Sequence, residues 1–105
     1  MKHYRQRVDV NQKQIVQQLR ALPGVDVALT HMVGKGFADI VVGYRWSNFL
    51  LEIKNPDVNL YERRLTPSEK HFHDVWPGQI AIVETFDDCL KAIEYHYEKG
   101  DDNGS

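Results

Sequence analysis

The sequence predicts a single α/β domain in which helices flank a small mixed sheet, in two or three layers. Its 105 residues, of which 42% are hydrophobic and 27% charged, suit one domain with a modest core. Segments of helical and of strand periodicity alternate in the order αβββαβα. Because the last predicted strand lies between two helices, it should join the sheet in parallel, which makes the sheet mixed.

Composition and charge exclude several classes of protein. The formal net charge is −2, so binding to nucleic acid would depend on a local basic patch. No apolar run is long enough to span a membrane, and the N-terminus lacks the apolar segment of a signal peptide. The single cysteine, Cys89, cannot form an internal disulfide. We therefore expect a cytoplasmic protein without a membrane partner, in which Cys89 is buried as a small apolar residue.

Polar composition and helix-capping patterns predict the structure of the two chain ends and of the first helix. Residues 1–8 are polar and mostly basic and are predicted to form an arm, and residues 99–105 a polar tail. Asp9, followed three residues later by Gln12, has the spacing of a capping box, which predicts that the first helix begins near Asp9. Pro23 then ends the helix. Its apolar stripe consists of Ile15, Val16, Leu19 and Leu22.

The second and third predicted strands carry the candidate catalytic and metal-binding side chains. Asp39 lies early in the second strand, and the third ends in Glu52-Ile53-Lys54. Residues two apart in a strand point to the same face, so Glu52 and Lys54 project together while Ile53 points into the core. A hairpin through residues 44–47 brings Asp39 alongside Glu52 and Lys54. These three side chains then share one corner of the sheet, which can hold a divalent cation and a water molecule. Taken alone, Glu52 and Lys54 fit a solvated strand edge with a weak ion pair better than a site.

The later elements begin at clear helix signals. Thr66 and Glu69 have the spacing of a capping box, which predicts a helix from residue 67. Thr85 and Asp88 repeat that spacing before the last helix. Residues 79–84 lie between these helices, and the apolar run at positions 80–83 predicts a short strand that is buried on both faces.

The ordered set of these features resembles the PD-(D/E)XK nuclease superfamily. The motif of that superfamily is an aspartate early in the second strand and Glu-x-Lys in the third, and it falls on Asp39 and on Glu52-Ile53-Lys54. Residues 36–40 resemble its glycine-x-proline-aspartate-aliphatic run, with alanine at the proline position. The resemblance implies a restriction-endonuclease-like core.

The segment after Lys54 resembles particular branches of this superfamily. Residues 65–69, Phe72 and residues 76–78 resemble the helix after the lysine in small phage and prophage enzymes of the VRR-NUC and archaeal Holliday-junction-resolvase branches. The resemblance extends in order over residues 9–97. It implies a DNA endonuclease in a bacterial host cell, either selective for branched DNA or nicking. Relatives of the resolvase type pair to cut two strands, so the resemblance leaves a homodimer open.

The resemblance also implies a role for each residue of the motif. Asp39 and Glu52 would bind Mg²⁺ or Mn²⁺ together with the Ile53 carbonyl and water molecules. The cation would polarise the scissile phosphate and lower the pKa of a bound water. Lys54 would hold the nucleophilic water or stabilise the developing negative charge.

Gln12 has two interpretations at this stage. Many members of the superfamily carry a metal-facing glutamate on the first helix, and by spacing that position falls on Gln12 or, less well, on Gln14. Gln12 is therefore a candidate catalytic residue in which a neutral amide replaces the acid. As the fourth residue of the capping box that begins at Asp9, it would have a purely structural role.

The sequence also offers candidates for DNA contacts and leaves two alternative functions open. Four basic side chains are candidates for contacts to backbone phosphates, although each would also fit scattered solvated charge: Lys35, Arg63, Arg64 and Lys70. One rival is a non-catalytic DNA-binding module that retains the nuclease fold, with Gln12 as a mark of lost activity. The other is a small phage protein that binds a host protein and no DNA.

Overall fold

The computed structural model describes residues 2–57 and 64–97, with side chains from Val10 onward. The helices are α1 (Lys2–Arg20), α2 (Pro67–Val75) and α3 (Phe86–Ile93), and the strands are β1 (Val25–Leu29), β2 (Ile40–Tyr44), β3 (Ser47–Ile53) and β4 (Ile80–Val83). The predicted order αβββαβα is confirmed. Among the described residues, no helix has both the length and the apolar character needed to cross a membrane.

The four strands form one mixed sheet in the order β1-β2-β3-β4. The pairs β1/β2 and β2/β3 are antiparallel, whereas β3/β4 is parallel. The parallel pair follows from the chain path, because α2 carries the chain back to the start of the sheet before β4 begins. The mixed sheet predicted from the sequence is therefore present.

The core lies on one face of this sheet. Phe49, Leu51 and Ile53 of β3 point to that face and pack in one cluster with side chains of α1 and α3. The cluster includes Cys89, which is fully buried as predicted. Because strand residues alternate, Glu52 points to the opposite face, which leaves that face for polar groups.

The first helix begins earlier than the sequence predicted. Helix α1 starts at Lys2, so the predicted start near Asp9 is wrong, and residues 2–8 continue the helix where an arm was expected. The reason is that no glycine or proline interrupts residues 2–20, so a helix extends through a capping pattern in its interior. The capping-box interpretation of Gln12 fails with it.

The burial of β4 also differs from the prediction. Within the described part of the chain β4 is the last strand in the sheet order and pairs only with β3. Ile82, which lies opposite Glu52, is 49% exposed. The sequence predicted burial on both faces because a short apolar run does not reveal whether a strand lies at the centre or the edge of a sheet.

The hairpin between β2 and β3 is a tight turn without glycine. Tyr44 pairs with Ser47, and the two residues between them, Arg45 and Trp46, have φ angles of 52° and 67°. Turns of this geometry usually contain glycine or asparagine, because a Cβ atom strains a left-handed backbone. The Trp46 side chain is fully exposed.

We expect Trp46→Gly to raise the free energy of unfolding by about 0.5–1 kcal/mol, because relief of the left-handed strain exceeds the entropy cost of glycine. Chemical denaturation measures the change. Trp46→Ala is the control, since it removes the same exposed side chain and keeps the Cβ atom. Equal stabilisation by the two variants would contradict backbone strain as the cause.

Candidate active site

Asp39 lies immediately before β2, close to Glu52 of β3. The paired register of β2 and β3 ends at Ile40 and Leu51, and Asp39 directly precedes Ile40. The Asp39 amide donates to the Leu51 carbonyl at 3.1 Å. The Ile53 amide donates to Oδ2 of Asp39 at 2.8 Å. The backbone of β3 therefore fixes the carboxylate of Asp39 beside that of Glu52.

Glu52 and Lys54 are buried neighbours on the face opposite the core. The side chains are 3% and 11% exposed, and Nζ of Lys54 lies 3.4 Å from Oε2 of Glu52. The other oxygen, Oε1 of Glu52, is buried and has no hydrogen-bond partner among the described residues. A buried carboxylate oxygen without a partner is costly, so this atom needs an explanation.

Glu69 joins this pair from helix α2. Its Oε1 atom lies 2.9 Å from Nζ of Lys54, closer than Glu52 does. The same oxygen accepts from the Thr66 amide at 2.9 Å, as part of a capping box at the start of α2. The sequence predicted that capping box but not the ion pair, because local spacing does not reveal where α2 lies relative to β3.

The proximity of the acids raises the pKa of the two strand carboxylates. Burial, followed by the charges of Asp39 and Glu69, raises the pKa of Glu52 from 4.5 to about 9. Burial also raises the pKa of Asp39, although the hydrogen bond from the Ile53 amide opposes this rise. Without a cation, the corner therefore disfavours two charged carboxylates side by side.

Lys54 and Glu69 remain charged at neutral pH. Burial alone would lower the pKa of Lys54, but its hydrogen bond to Glu69 and the charges of Glu52 and Glu69 outweigh burial and raise it. Burial alone would raise the pKa of Glu69, but the hydrogen bonds from Thr66 and Lys54 outweigh it and lower the pKa. An ammonium thus persists beside the strand carboxylates.

The donor set of this corner fits a hard divalent cation. Carboxylate oxygens are the ligands that Mg²⁺ and Mn²⁺ prefer, and a bound cation would replace the proton that the raised pKa of Glu52 retains. Among residues 2–57 and 64–97, no group of three or more His, Cys, Asp or Glu side chains is arranged to hold a metal. A cation here would therefore need Asp39, Glu52, a backbone carbonyl such as that of Ile53, and water.

The loop before β2 positions α2 against the site. At Gly36 a Cβ atom would lie 2.3 Å from the Ser68 carbonyl oxygen, so only glycine permits this contact. Phe37 then packs on Phe72 with ring centroids 5.2 Å apart, and Phe72 stacks on Trp76 at 5.0 Å. These contacts hold the first turn of α2, and with it Glu69, beside Lys54.

We expect Gly36→Ala to destabilise the fold by about 2–4 kcal/mol, because it combines left-handed strain with a backbone clash that cannot relax without moving α2. Gly34→Ala is the matched control, since Gly34 has a similar φ of 85° but no atom within 4 Å of the point that its Cβ would occupy. It should lose only about 1 kcal/mol. Thermal and chemical unfolding measure both variants, and equal losses would contradict the contact with Ser68.

Helix α1 approaches the site through a residue that the sequence did not single out. Nδ2 of Asn11 lies 3.4 Å from the Lys54 carbonyl oxygen and 3.5 Å from that of Glu84, so it ties α1 to the ends of β3 and β4. Gln12 is partly buried, and its side chain makes no hydrogen bond to the described residues. A catalytic role for Gln12 stays a prediction.

Three of the four predicted DNA contacts lie within the described residues: Lys35, Arg64 and Lys70. Lys35 is exposed on the loop that precedes Gly36, and Lys70 follows Glu69 on α2, where it pairs with Asp74 at 3.3 Å. Arg64 is exposed at the approach to α2. Arg63 lies outside the described residues. The contact of these basic residues with DNA stays a prediction.

Comparisons with known proteins support the fold. No protein-family model matches the sequence. No curated protein matches it either. A solved structure described as a VRR_NUC domain is similar over 87% of this chain and 98% of its own, with a TM-score of 0.62 and 22% sequence identity. The chain therefore has a VRR_NUC-like fold.

Proposed function

We propose that this protein is a Mg²⁺- or Mn²⁺-dependent DNA endonuclease that hydrolyses phosphodiester bonds. The observation that carries the proposal is the Glu52 carboxyl group, which lies close to Asp39 and beside the Lys54 ammonium and whose buried Oε1 atom has no hydrogen-bond partner among the described residues. The VRR_NUC-like fold supports the same conclusion, because it is a fold of nucleases.

In the proposed reaction each residue of the corner has a defined task. Asp39 and Glu52, with the Ile53 carbonyl, would hold the cation, which when bound polarises the phosphate and acidifies a water. The Ile53 amide keeps the Asp39 carboxylate turned toward Glu52. Lys54 supplies a fixed positive charge for the negative charge that develops on the phosphoryl oxygens. Hydrolysis forms a bond from water oxygen to phosphorus and breaks one phosphorus–oxygen ester bond.

The decisive experiment incubates the protein with supercoiled, linear and four-way-junction DNA, with magnesium, with manganese and with chelator. We expect cleavage that depends on the cation, and the preferred substrate separates branched-DNA cleavage from nicking. Salt-dependent DNA binding without cleavage would favour the non-catalytic module. Neither binding nor cleavage would favour a protein that binds a host protein.

We expect replacement of Arg63 and Arg64 by alanine to weaken DNA binding without a direct effect on chemistry. Each lost phosphate contact should flatten the plot of log affinity against log salt by about 0.9. Fluorescence anisotropy in the Glu52→Gln background measures the slope without cleavage. Lys91→Ala, an exposed site on α3 on the core side of the sheet, is the control. A slope equal to that of the control would leave these arginines as ordinary surface residues.

The proposal includes the expected setting of the reaction. We propose a phage or prophage protein that acts in the bacterial cytoplasm, which the free, buried Cys89 supports. We also propose that cleavage of both DNA strands uses two copies of the chain, because one Asp39, Glu52 and Lys54 set attacks one phosphodiester at a time. Sedimentation of the protein with and without junction DNA tests the pairing.

A further inference from the structure

Two carboxylates compete for the same ammonium at the candidate active site. Nζ of Lys54 lies 2.9 Å from Oε1 of Glu69 and 3.4 Å from Oε2 of Glu52. Only the first of these contacts has the length of a hydrogen bond between charged groups. Lys54 therefore belongs mainly to Glu69, although it extends from the strand that carries Glu52.

The Glu69 carboxylate is a fixed partner. Its Oε1 atom also accepts from the Thr66 amide, and the Thr66 hydroxyl accepts from the Glu69 amide at 3.2 Å. The contact of Gly36 with Ser68 holds the same turn of α2 in place. A carboxylate that is anchored at both its main chain and its side chain can set the position of a flexible lysine.

We infer that Glu69 is a positioning residue that holds the Lys54 ammonium away from Glu52, so that Oε1 of Glu52 stays open to a cation. The effect on cleavage rests on the proposed function, whereas the effect on Lys54 does not. Without the Glu69 charge, Glu52 would be the stronger acceptor left beside Nζ of Lys54. The ammonium would then move onto Glu52 and neutralise the oxygen that the cation needs.

The test compares Glu69→Gln with Thr66→Ala. Glutamine can still serve the capping box but removes the charge that holds Lys54. Thr66→Ala breaks the other half of the capping box and leaves the Glu69 carboxylate, with its Lys54 contact, in place. We expect Glu69→Gln to weaken Mn²⁺ binding by about 10- to 100-fold in calorimetry and to slow cleavage similarly. Thr66→Ala should lower thermal stability and leave Mn²⁺ affinity unchanged.

A double-mutant cycle shows whether Glu69 acts through Lys54. In a Lys54→Met background, Glu69→Gln should no longer weaken Mn²⁺ binding, because no ammonium remains to be positioned. An equal loss in both backgrounds would overturn the inference and make Glu69 a direct partner of the cation. A loss of Mn²⁺ affinity in Thr66→Ala equal to that in Glu69→Gln would overturn it in favour of capping alone. This last comparison does not require Lys54→Met to fold.

A measurement in chelator separates this inference from the proposed function. Denaturation of the wild type, the two single variants and the double variant gives the coupling between Glu69 and Lys54 without any cation. A stabilising coupling supports the pairing of Glu69 with Lys54, and zero coupling overturns it. Absence of cleavage by the wild type in every cation would instead overturn the proposed endonuclease and leave this coupling as measured.

Discussion

Asp39→Asn, Glu52→Gln and Lys54→Ala should each abolish cation-dependent DNA cleavage. The two acids lie close together, Asp39 just before β2 and Glu52 in β3, and Nζ of Lys54 is 3.4 Å from Oε2 of Glu52. Loss of one carboxylate removes a ligand for the cation, and loss of the ammonium removes charge stabilisation. We expect rates at least about 100-fold lower, since single groups that stabilise transition-state charge are worth that much. Conversion of supercoiled plasmid to nicked and linear forms measures the rate.

Asp26→Asn provides the matched control for this series. Asp26 pairs with Gly43 near the other end of β2, and its side chain accepts from the Val27 amide, which asparagine can also do. The same change of charge is therefore made on the same sheet, away from the corner, and cleavage should be retained. A wild-type cleavage rate in Glu52→Gln would contradict the assignment of the active site.

In chelator, the free energy of unfolding should fall as pH rises from about 4.5 to about 9, because the pKa of Glu52 is raised from 4.5 to about 9 by burial and by its acidic neighbours. In this window the folded protein keeps a proton on Glu52 that the unfolded chain has released. Stability falls with pH wherever the folded state binds more protons, so the contribution is complete below pH 4.5 and lost through pH 9. Denaturant titrations across this window measure the slope.

Glu52→Gln isolates the contribution of this group. The variant should lose most of the slope and should be more stable than the wild type above neutral pH in chelator, because it cannot acquire the buried charge. Added Mn²⁺ should stabilise the wild type and not the variant. At pH values below the unfolded-state pKa of Glu52 the two proteins should be alike. Lower stability of Glu52→Gln in alkaline chelator, with a retained gain from Mn²⁺, would count against a shared cation site.

Local sequence patterns predicted the start of a helix well where capping side chains near that start mark it. The capping boxes that begin at Thr66 and Thr85 are both present, because each is formed within four consecutive residues. The same pattern at Asp9 did not start a helix, since the preceding residues are also compatible with one. A capping pattern therefore predicts a helix start only where the preceding chain cannot be helical.

The pairing of Asp39 with Glu52 was also accessible from the sequence. Strand parity puts Glu52 and Lys54 on one face, and the tight turn at Arg45 and Trp46 fixes the register that brings Asp39, just before β2, alongside them. Strand parity and the register set by the turn are short-range properties of two consecutive strands. The mixed sheet followed from the helix that separates β3 from β4.

The sequence by itself thus determined the order of elements, the VRR_NUC-like fold and the meeting of Asp39, Glu52 and Lys54. Only the tertiary structure decided which partner holds Lys54. Glu69 is separated from Lys54 by 15 residues, and α2 reaches it because Gly36 admits the Ser68 backbone. Likewise Asn11, rather than Gln12, ties α1 to the ends of β3 and β4. The physical reason is that contacts between distant segments depend on how elements pack, which no local periodicity encodes.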